Sequence, residues 1–346
     1  TRPPSMRRDK PCRMPTRSTA RACHPPGRPP PGSFRTAPVE SRCERAEYPT
    51  VSPRDPDTAA PAADAPLASL HAFVATLLER CTALRALGHP ALGGADTDAF
   101  LSALTLARAA LRLVASPAAA GRPPQLAVIG PTQAGKSTVV NLLLGRAVAG
   151  VSPLAGFTVH PQAFHAEATP GATAPPVTLF DDPPAAPDDG WLDAVLPGWA
   201  RVAPADLRRD ELHACACTAV AAPTAELAGI ATWDTPDFDS LAAHRYRAGL
   251  LEIAAAADAY VLVVSKEKYA DQAVWNVVRL LEPLGRPLVV VLNKVSDDAA
   301  AVLTRAVGER LAEQAGGWGR VPVVVLPFDP AIEARGAALP AVDALR

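Results

Sequence analysis

The chain has 346 residues, 49% of them hydrophobic, 20% charged and 5% aromatic, with a formal net charge of −1. That length suffices for one large domain or two small ones around a buried core, and the balanced charge excludes a whole-chain field that would steer the protein onto nucleic acid. No run approaches the ~18 consecutive apolar residues of a bilayer span, so no spanning segment is expected. Lysine is scarce: only Lys10, Lys136, Lys266, Lys268 and Lys294 occur among 34 basic residues, the rest being arginine, so each lysine position is informative.

Residues 1–65 are rich in Pro and Arg and lack apolar periodicity. Such a segment cannot offset the entropy of ordering, and it reads as a disordered tail. Its first 35 residues carry nine basic side chains and one acid, Asp9. A solvated tail, or upstream sequence translated by mistake, accounts for this better than a nucleic-acid or anionic-membrane arm, and no nucleic-acid partner is expected. No apolar run of the signal-peptide kind is present. Residues 66–118 read as a helical hairpin. Leu67, Leu70, Val74, Leu77, Cys81 and Leu84 step by three and four over 66–87. After a Gly-containing break, Phe100, Leu104, Ala107, Leu111 and Val114 do the same over 96–115, with Asp96 or Thr97 as cap. The hairpin either packs on the following domain or forms half of a larger bundle.

Residues 119–346 alternate short β-rich runs with helical patterns. The strands fall at 125–130, 159–165, 176–181, 228–234, 259–265, 287–293 and 321–326, and the helices at 136–146, 240–257, 271–284 and 298–315. Several strands are continuous apolar runs, as in a parallel sheet covered on both faces. The fold class expected is α/β, a doubly wound and mostly parallel sheet, with ligands at the carboxyl ends of the strands. Residues 166–227 are Pro-rich and acidic and read as an insertion. The spacing of Leu339, Val342 and Leu345 at the end reads as a helix cut short.

One motif fixes the chemistry. Gly130-Pro131-Thr132-Gln133-Ala134-Gly135-Lys136-Ser137 fits GxxxxGK[ST], after an apolar strand and at the start of a helix that continues from Thr138. Successive backbone N–H groups at a helix N-terminus cradle an anion. Gly130 and Gly135 permit the tight backbone, Lys136 reaches β- and γ-phosphates, and the Ser137 hydroxyl holds Mg²⁺.

The segment Gly130 to Gly145, with three later ones, resembles the dynamin-like and Era-like P-loop GTPases of the TRAFAC type. Phe157-Thr158-Val159-His160-Pro161 is similar to switch I, which implies that Thr158 closes over Mg²⁺ and the γ-phosphate. Trp233-Asp234-Thr235-Pro236-Asp237 is similar to DTPG and implies Asp234 as a Mg²⁺ residue. Asp237 stands where the family has Gly. At about 4 Å, two unit charges repel by about 4 kcal/mol at an effective dielectric of 20. Asp237 is therefore expected to swing away from a phosphate or to weaken closure. Asn293-Lys294 resembles the guanine-reading [NT]KxD, with Ser296 at the Asp position and Asp297 one place later. The resemblance implies that Asn293 supports the phosphate loop, Lys294 packs along the base and Asp297 accepts its N–H groups if a local bulge restores the register. Gln133 stands where dynamins carry a catalytic Ser. The fifth family motif, expected near Leu326 to Asp329, is not visible.

The resemblance implies GTP and GDP as ligands, Mg²⁺ as cofactor, GTP hydrolysis coupled to conformational change, pairing of two copies through this domain, and a protein or peripheral membrane partner. Two other readings stay open: a nucleotide-binding scaffold with little hydrolysis, and an ATPase or small-molecule kinase using the same loop. Cys12, Cys23, Cys43 and Cys81 are scattered and fit a reducing, cytoplasmic setting. His213, Cys215 and Cys217 alternate but lack a fourth ligand for zinc. Lys266-Glu267-Lys268 reads as a solvated turn.

Overall fold

The computed structural model describes residues 64–151, 158–167, 190–211, 213–239 and 243–328. All lie in one compact unit, Ala59–Arg346. The N-terminal tail up to residue 63, the strand expected at 176–181, Phe157, Asp329 and the spacing at Leu339 to Leu345 fall outside the described residues.

The strands are β1 (Gln125–Ile129), β2 (Gln162–Glu167), β3 (Ala200–Arg201), β4 (Ala214–Ala221), β5 (Ala231–Asp234), β6 (Ala259–Ser265), β7 (Leu288–Val295) and β8 (Val323–Pro327). They form one eight-stranded sheet in the order β3-β4-β2-β5-β1-β6-β7-β8. From β5 to β8 all neighbours are parallel, and β2 joins antiparallel to β5, with His165 opposite Ala231. β3 and β4 run parallel to β2, so the sheet is mostly parallel.

The central strands carry apolar side chains on both faces. Ala127, Ile129, Tyr260, Leu262, Val290 and Leu292 enter one core layer, while Val128, Val261, Val263 and Val291 enter the other. This is the two-residue period of a strand with both faces covered. The helices are α1 (Asp64–Ala86), α2 (Ala95–Ala115), α3 (Lys136–Leu144), α4 (Leu192–Val195), α5 (Ala243–Ala256), α6 (Gln272–Leu281) and α7 (Asp297–Gln314). Helix α3 covers the Val128 face with Val139, Val140, Leu142, Leu143 and Leu144. Side chains of α2, α5, α6 and α7 share the other layer. Helix α3 is bounded by Gly135 at φ 95° and Gly145 at φ 66°, both in the left-handed region where glycine is the least strained residue.

Helices α1 and α2 lie close to the lengths expected from periodicity, but the buried faces differ. In α2 the core residues are Leu106 and Ala109, while Phe100 and Val114 are exposed. Ala and Leu surround most of this helix, so apolar spacing alone does not select a face. Ion pairs help to select it: Arg108 pairs with the buried Glu252 of α5, Arg112 Nη2 lies 2.8 Å from Glu252 Oε2, and Arg112 also donates to the carbonyls of Ala194 and Val195 at 3.1 and 3.0 Å. In α1 Val74 is buried, whereas Leu70, Phe73 and Leu84 are exposed. By length and composition alone, Pro66–Ala86 is apolar enough to cross a membrane, although His71, Glu79, Arg80 and Arg85 interrupt its apolar runs.

The segment set apart as an insertion supplies β3, β4 and α4 to the fold. β4 reads Ala-Cys-Ala-Cys-Thr-Ala-Val-Ala, and these small side chains give little of the bulky β-branched signal by which strands are recognised. His213, just before β4, packs edge-on against Trp199 with ring centroids 5.4 Å apart.

Candidate phosphate and metal site

The carboxyl ends of β1, β5 and β7 bring the motifs together, and the turn after β6 adds Lys268. The chain leaves β1 at Gly130, crosses Pro131, Thr132, Gln133 and Ala134, and enters α3 at Lys136. A side chain at Gly130 would place its Cβ 2.3 Å from the carbonyl oxygen of Val263. At Gly135 it would lie 2.2 Å from Asn293 Nδ2. At Gly130 the clash is with backbone and excludes any other residue, while at Gly135 a side chain would displace the Asn293 amide and sit at a φ of 95° that other residues rarely adopt. Gln133 is exposed and has φ 60°, which completes the tight turn. Asn141 secures the far end of α3, accepting from the amides of Val148 and Ala149 at 2.9 and 2.8 Å and donating to the Ala149 carbonyl at 3.0 Å.

Three oxygen-bearing side chains meet at the start of α3. The Ser137 hydroxyl donates to Asp234 Oδ2 at 2.6 Å and lies 3.4 Å from Thr158 Oγ1. Asp234 is fully buried, and its Oδ1 has no hydrogen-bond partner among the described residues. Burial pushes its carboxyl up to about 6, against the Ser137 hydrogen bond and the Lys136 ammonium, with Asp237 adding to the upward push. Two hydroxyls and a carboxylate with an unmet oxygen suit a hard divalent cation. Mg²⁺ in particular combines one or two carboxylates with substrate phosphates and retained waters. The donors present therefore fit Mg²⁺.

Thr235 anchors the strand end by donating to the Val128 carbonyl at 2.7 Å. Asp237 does not swing outward. Its carboxylate turns in and pairs with the buried Lys136 ammonium, which also donates to the Pro131 carbonyl at 3.2 Å. Asp239 accepts from the Thr132 amide and, at 2.7 Å, from the Thr132 hydroxyl, and it accepts from Lys268 at 2.8 Å. Burial alone would raise the Asp239 carboxyl, but these bonds outweigh it and hold the group below its ordinary range.

At the end of β7, Asn293 is buried and donates to the Ala134 carbonyl at 2.9 Å, while its Oδ1 accepts from the Lys294 amide at 2.9 Å. Lys294 has φ 61°, and its ammonium reaches the Gln133 carbonyl at 2.9 Å. The β7–β8 register shifts between Leu292 and Val295. Asp297 follows as the first residue of α7, exposed to solvent. Thus Lys136, Ser137, Thr158 and Asp234 converge on one side of the phosphate loop, and Asn293 and Lys294 brace it on another. Asp297 is joined to them through the backbone.

Residues 125–294 match the family model described as 50S ribosome-binding GTPase. The chain carries a P-loop GTPase domain. A search of curated proteins returns no significant match. Among solved structures, the chain is similar to a variant of Aquifex aeolicus Era bound to GDP·AlF4⁻, at 15% identity over 64% of this chain and 54% of that one, with a TM-score of 0.38. It is also similar to an oligomerised bacterial dynamin pair described as sensing and tethering membranes, at 12% identity over 78% of this chain and 47% of that one, with a TM-score of 0.40. The chain thus spans about half the length of each.

Two features of the GTPase domain escape the motif reading. Lys268 is half-buried and ion-paired with Asp239, rather than part of a wholly solvated turn. Its scarcity as a lysine was the available signal. Glu252, buried between Arg108 and Arg112, carries no motif; an acid among apolar residues of α5 was the clue.

Proposed function

We infer that the chain binds GTP with Mg²⁺ and hydrolyses it, and that the nucleotide state is passed through α5 to the α1–α2 hairpin. One observation carries this reading: the buried Asp234 carboxylate, with one oxygen unpartnered among the described residues, sits 2.6 Å from the Ser137 hydroxyl at the mouth of a phosphate loop whose lysine is Lys136. Phosphoryl transfer from a nucleotide rests on positioning and charge stabilisation. Lys136 and the amides of 132–137 supply positive charge and donors for the phosphates. Ser137, Thr158 and Asp234 would hold Mg²⁺, which when bound neutralises charge on the β- and γ-phosphate oxygens. Asn293 fixes the loop against β7, and Lys294 and Asp297 are assigned to the base. Gln133, at the exposed lip, is assigned to orient water or contact phosphate.

The assignment of output to α5 is supported by its position. It is the next helix in the chain after the Asp234–Asp239 segment, and its Glu252 is clamped by Arg108 and Arg112 of α2. A scaffold that binds nucleotide and hydrolyses little is favoured by a different observation, the pairing of Lys136 with Asp237.

Phosphate release from GTP and from ATP separates the readings. GTP turnover is expected in Mg²⁺, and chelation of the metal or Ser137→Ala is expected to slow it by about a hundredfold, equivalent to about 2.7 kcal/mol of barrier. Turnover unaffected by both, or confined to ATP, overturns the assignment.

A further inference from the structure

The segment after β5 points alternate side chains in opposite directions. Phe238 is buried in the core layer shared with α5, while Asp237 and Asp239 on either side of it face the phosphate loop. The backbone bends at Phe238 and Asp239, beyond the end of β5. Both carboxylates are engaged. Asp237 Oδ1 holds the Lys136 ammonium, and the two side chains are only 9% and 5% exposed. Asp239 Oδ1 holds the amide and hydroxyl of Thr132, and its Oδ2 accepts from Lys268 at 2.8 Å. The chain therefore directs two of its own carboxylates at donors of a loop built to bind an anion.

We propose that Asp237 is a self-supplied anion that competes with the phosphates of a nucleotide for Lys136, and that Asp239 holds it in place by tying the segment to Thr132 and Lys268. This deepens the reading of the site as a nucleotide site and rests on it. An ammonium has three N–H donors, and here Asp237 and the Pro131 carbonyl take two of them. The β- and γ-phosphates call on the same ammonium. A carboxylate left beside them would be a like charge in a water-poor place, where repulsion is least screened. Nucleotide entry thus requires Asp237 to release Lys136, and Asp237 sets how tightly the site holds both di- and triphosphates. A residue without a carboxylate at this position imposes no such competition.

The test is equilibrium binding of fluorescent GDP and of a non-hydrolysable GTP analogue to wild type, Asp237→Asn, Asp239→Asn and Lys136→Ala, with thermal unfolding of each nucleotide-free preparation. Asp237→Asn keeps shape and removes charge. It is expected to bind both nucleotides about tenfold more tightly than wild type, the effect of about 1.4 kcal/mol of relieved competition. The same variant is expected to melt at a lower temperature without nucleotide, because Lys136 loses its counter-ion. A purely structural Asp237 would lower the melting temperature without raising affinity. If Asp237→Asn does not fold, Asp239→Asn carries the test, with a smaller gain of about threefold expected from loosening the segment. Lys136-dependent binding by wild type with no gain in these variants overturns the proposal and leaves the nucleotide reading standing. Undiminished binding by Lys136→Ala overturns both.

Discussion

Lys136→Ala is expected to weaken nucleotide binding by about a hundredfold or more and to destabilise the protein at the same time. The two effects have separate physical origins. Lys136 is one of five lysines in the chain, and it is buried at the N-terminus of α3 among the amides of the phosphate loop. Removing it takes away charge-assisted hydrogen bonds to phosphate, each contributing roughly 1.5–3 kcal/mol. It also leaves Asp237 buried without its cation. Breaking a buried pair by deleting one partner costs about 3–5 kcal/mol, because the remaining charge is uncompensated. Adding Asp237→Asn to Lys136→Ala is therefore expected to recover much of the stability but only the part of the affinity lost to the unpaired carboxylate, leaving binding well below that of wild type. Urea denaturation and nucleotide titration of the single and double variants check this. A stable Lys136→Ala protein that binds nucleotide normally contradicts it.

The second large effect is expected at Glu252, far from the phosphates. Its side chain is 5% exposed, against 34% for Arg108 and 19% for Arg112. Glu252→Ala removes the charge shared by both arginines and opens a small gap under α2. Arg112 keeps its bonds to the Ala194 and Val195 carbonyls, and Arg108 can turn toward water. The loss is therefore placed near the low end for a broken buried pair, about 3 kcal/mol. Because Leu106 and Ala109 of α2 share the core layer with α5, loosening the clamp exposes apolar surface as well as charge. Amide hydrogen exchange is expected to quicken along α2, and the denaturation midpoint to fall. Unchanged exchange in α2 would remove Glu252 as the link between α5 and the hairpin.

The sequence carried the central sheet clearly, because β1, β6 and β7 are apolar on both faces and stand apart from the helical periods around them. The expected strand at 259–265 coincides with β6. β4 was hidden by its Ala, Cys and Thr composition, and the packing face of α2 by apolar residues on nearly all sides. Within the site, the local motifs were legible because phosphate binding needs consecutive amides, and consecutive amides are a local property. The contacts between distant residues were not. Asp239 meets Thr132 across 107 positions, and Arg108 meets Glu252 across 144. With so many arginines in the chain, spacing could not single out these two. The departure at Asp237 was visible, but its direction was not. Charge repulsion with a phosphate points to an outward turn or to weakened closure; of the two, the pairing with Lys136 rules out the outward turn.

Competitive binding of GTP and ATP to the full chain in Mg²⁺, with wild type and Asp297→Ala side by side, tests the central claim most directly. GTP is expected to bind at least about tenfold more tightly than ATP, and Asp297→Ala to remove that preference, since a hydrogen bond to a charged group contributes roughly 1.5–3 kcal/mol. Equal affinity of wild type for the two nucleotides contradicts the account.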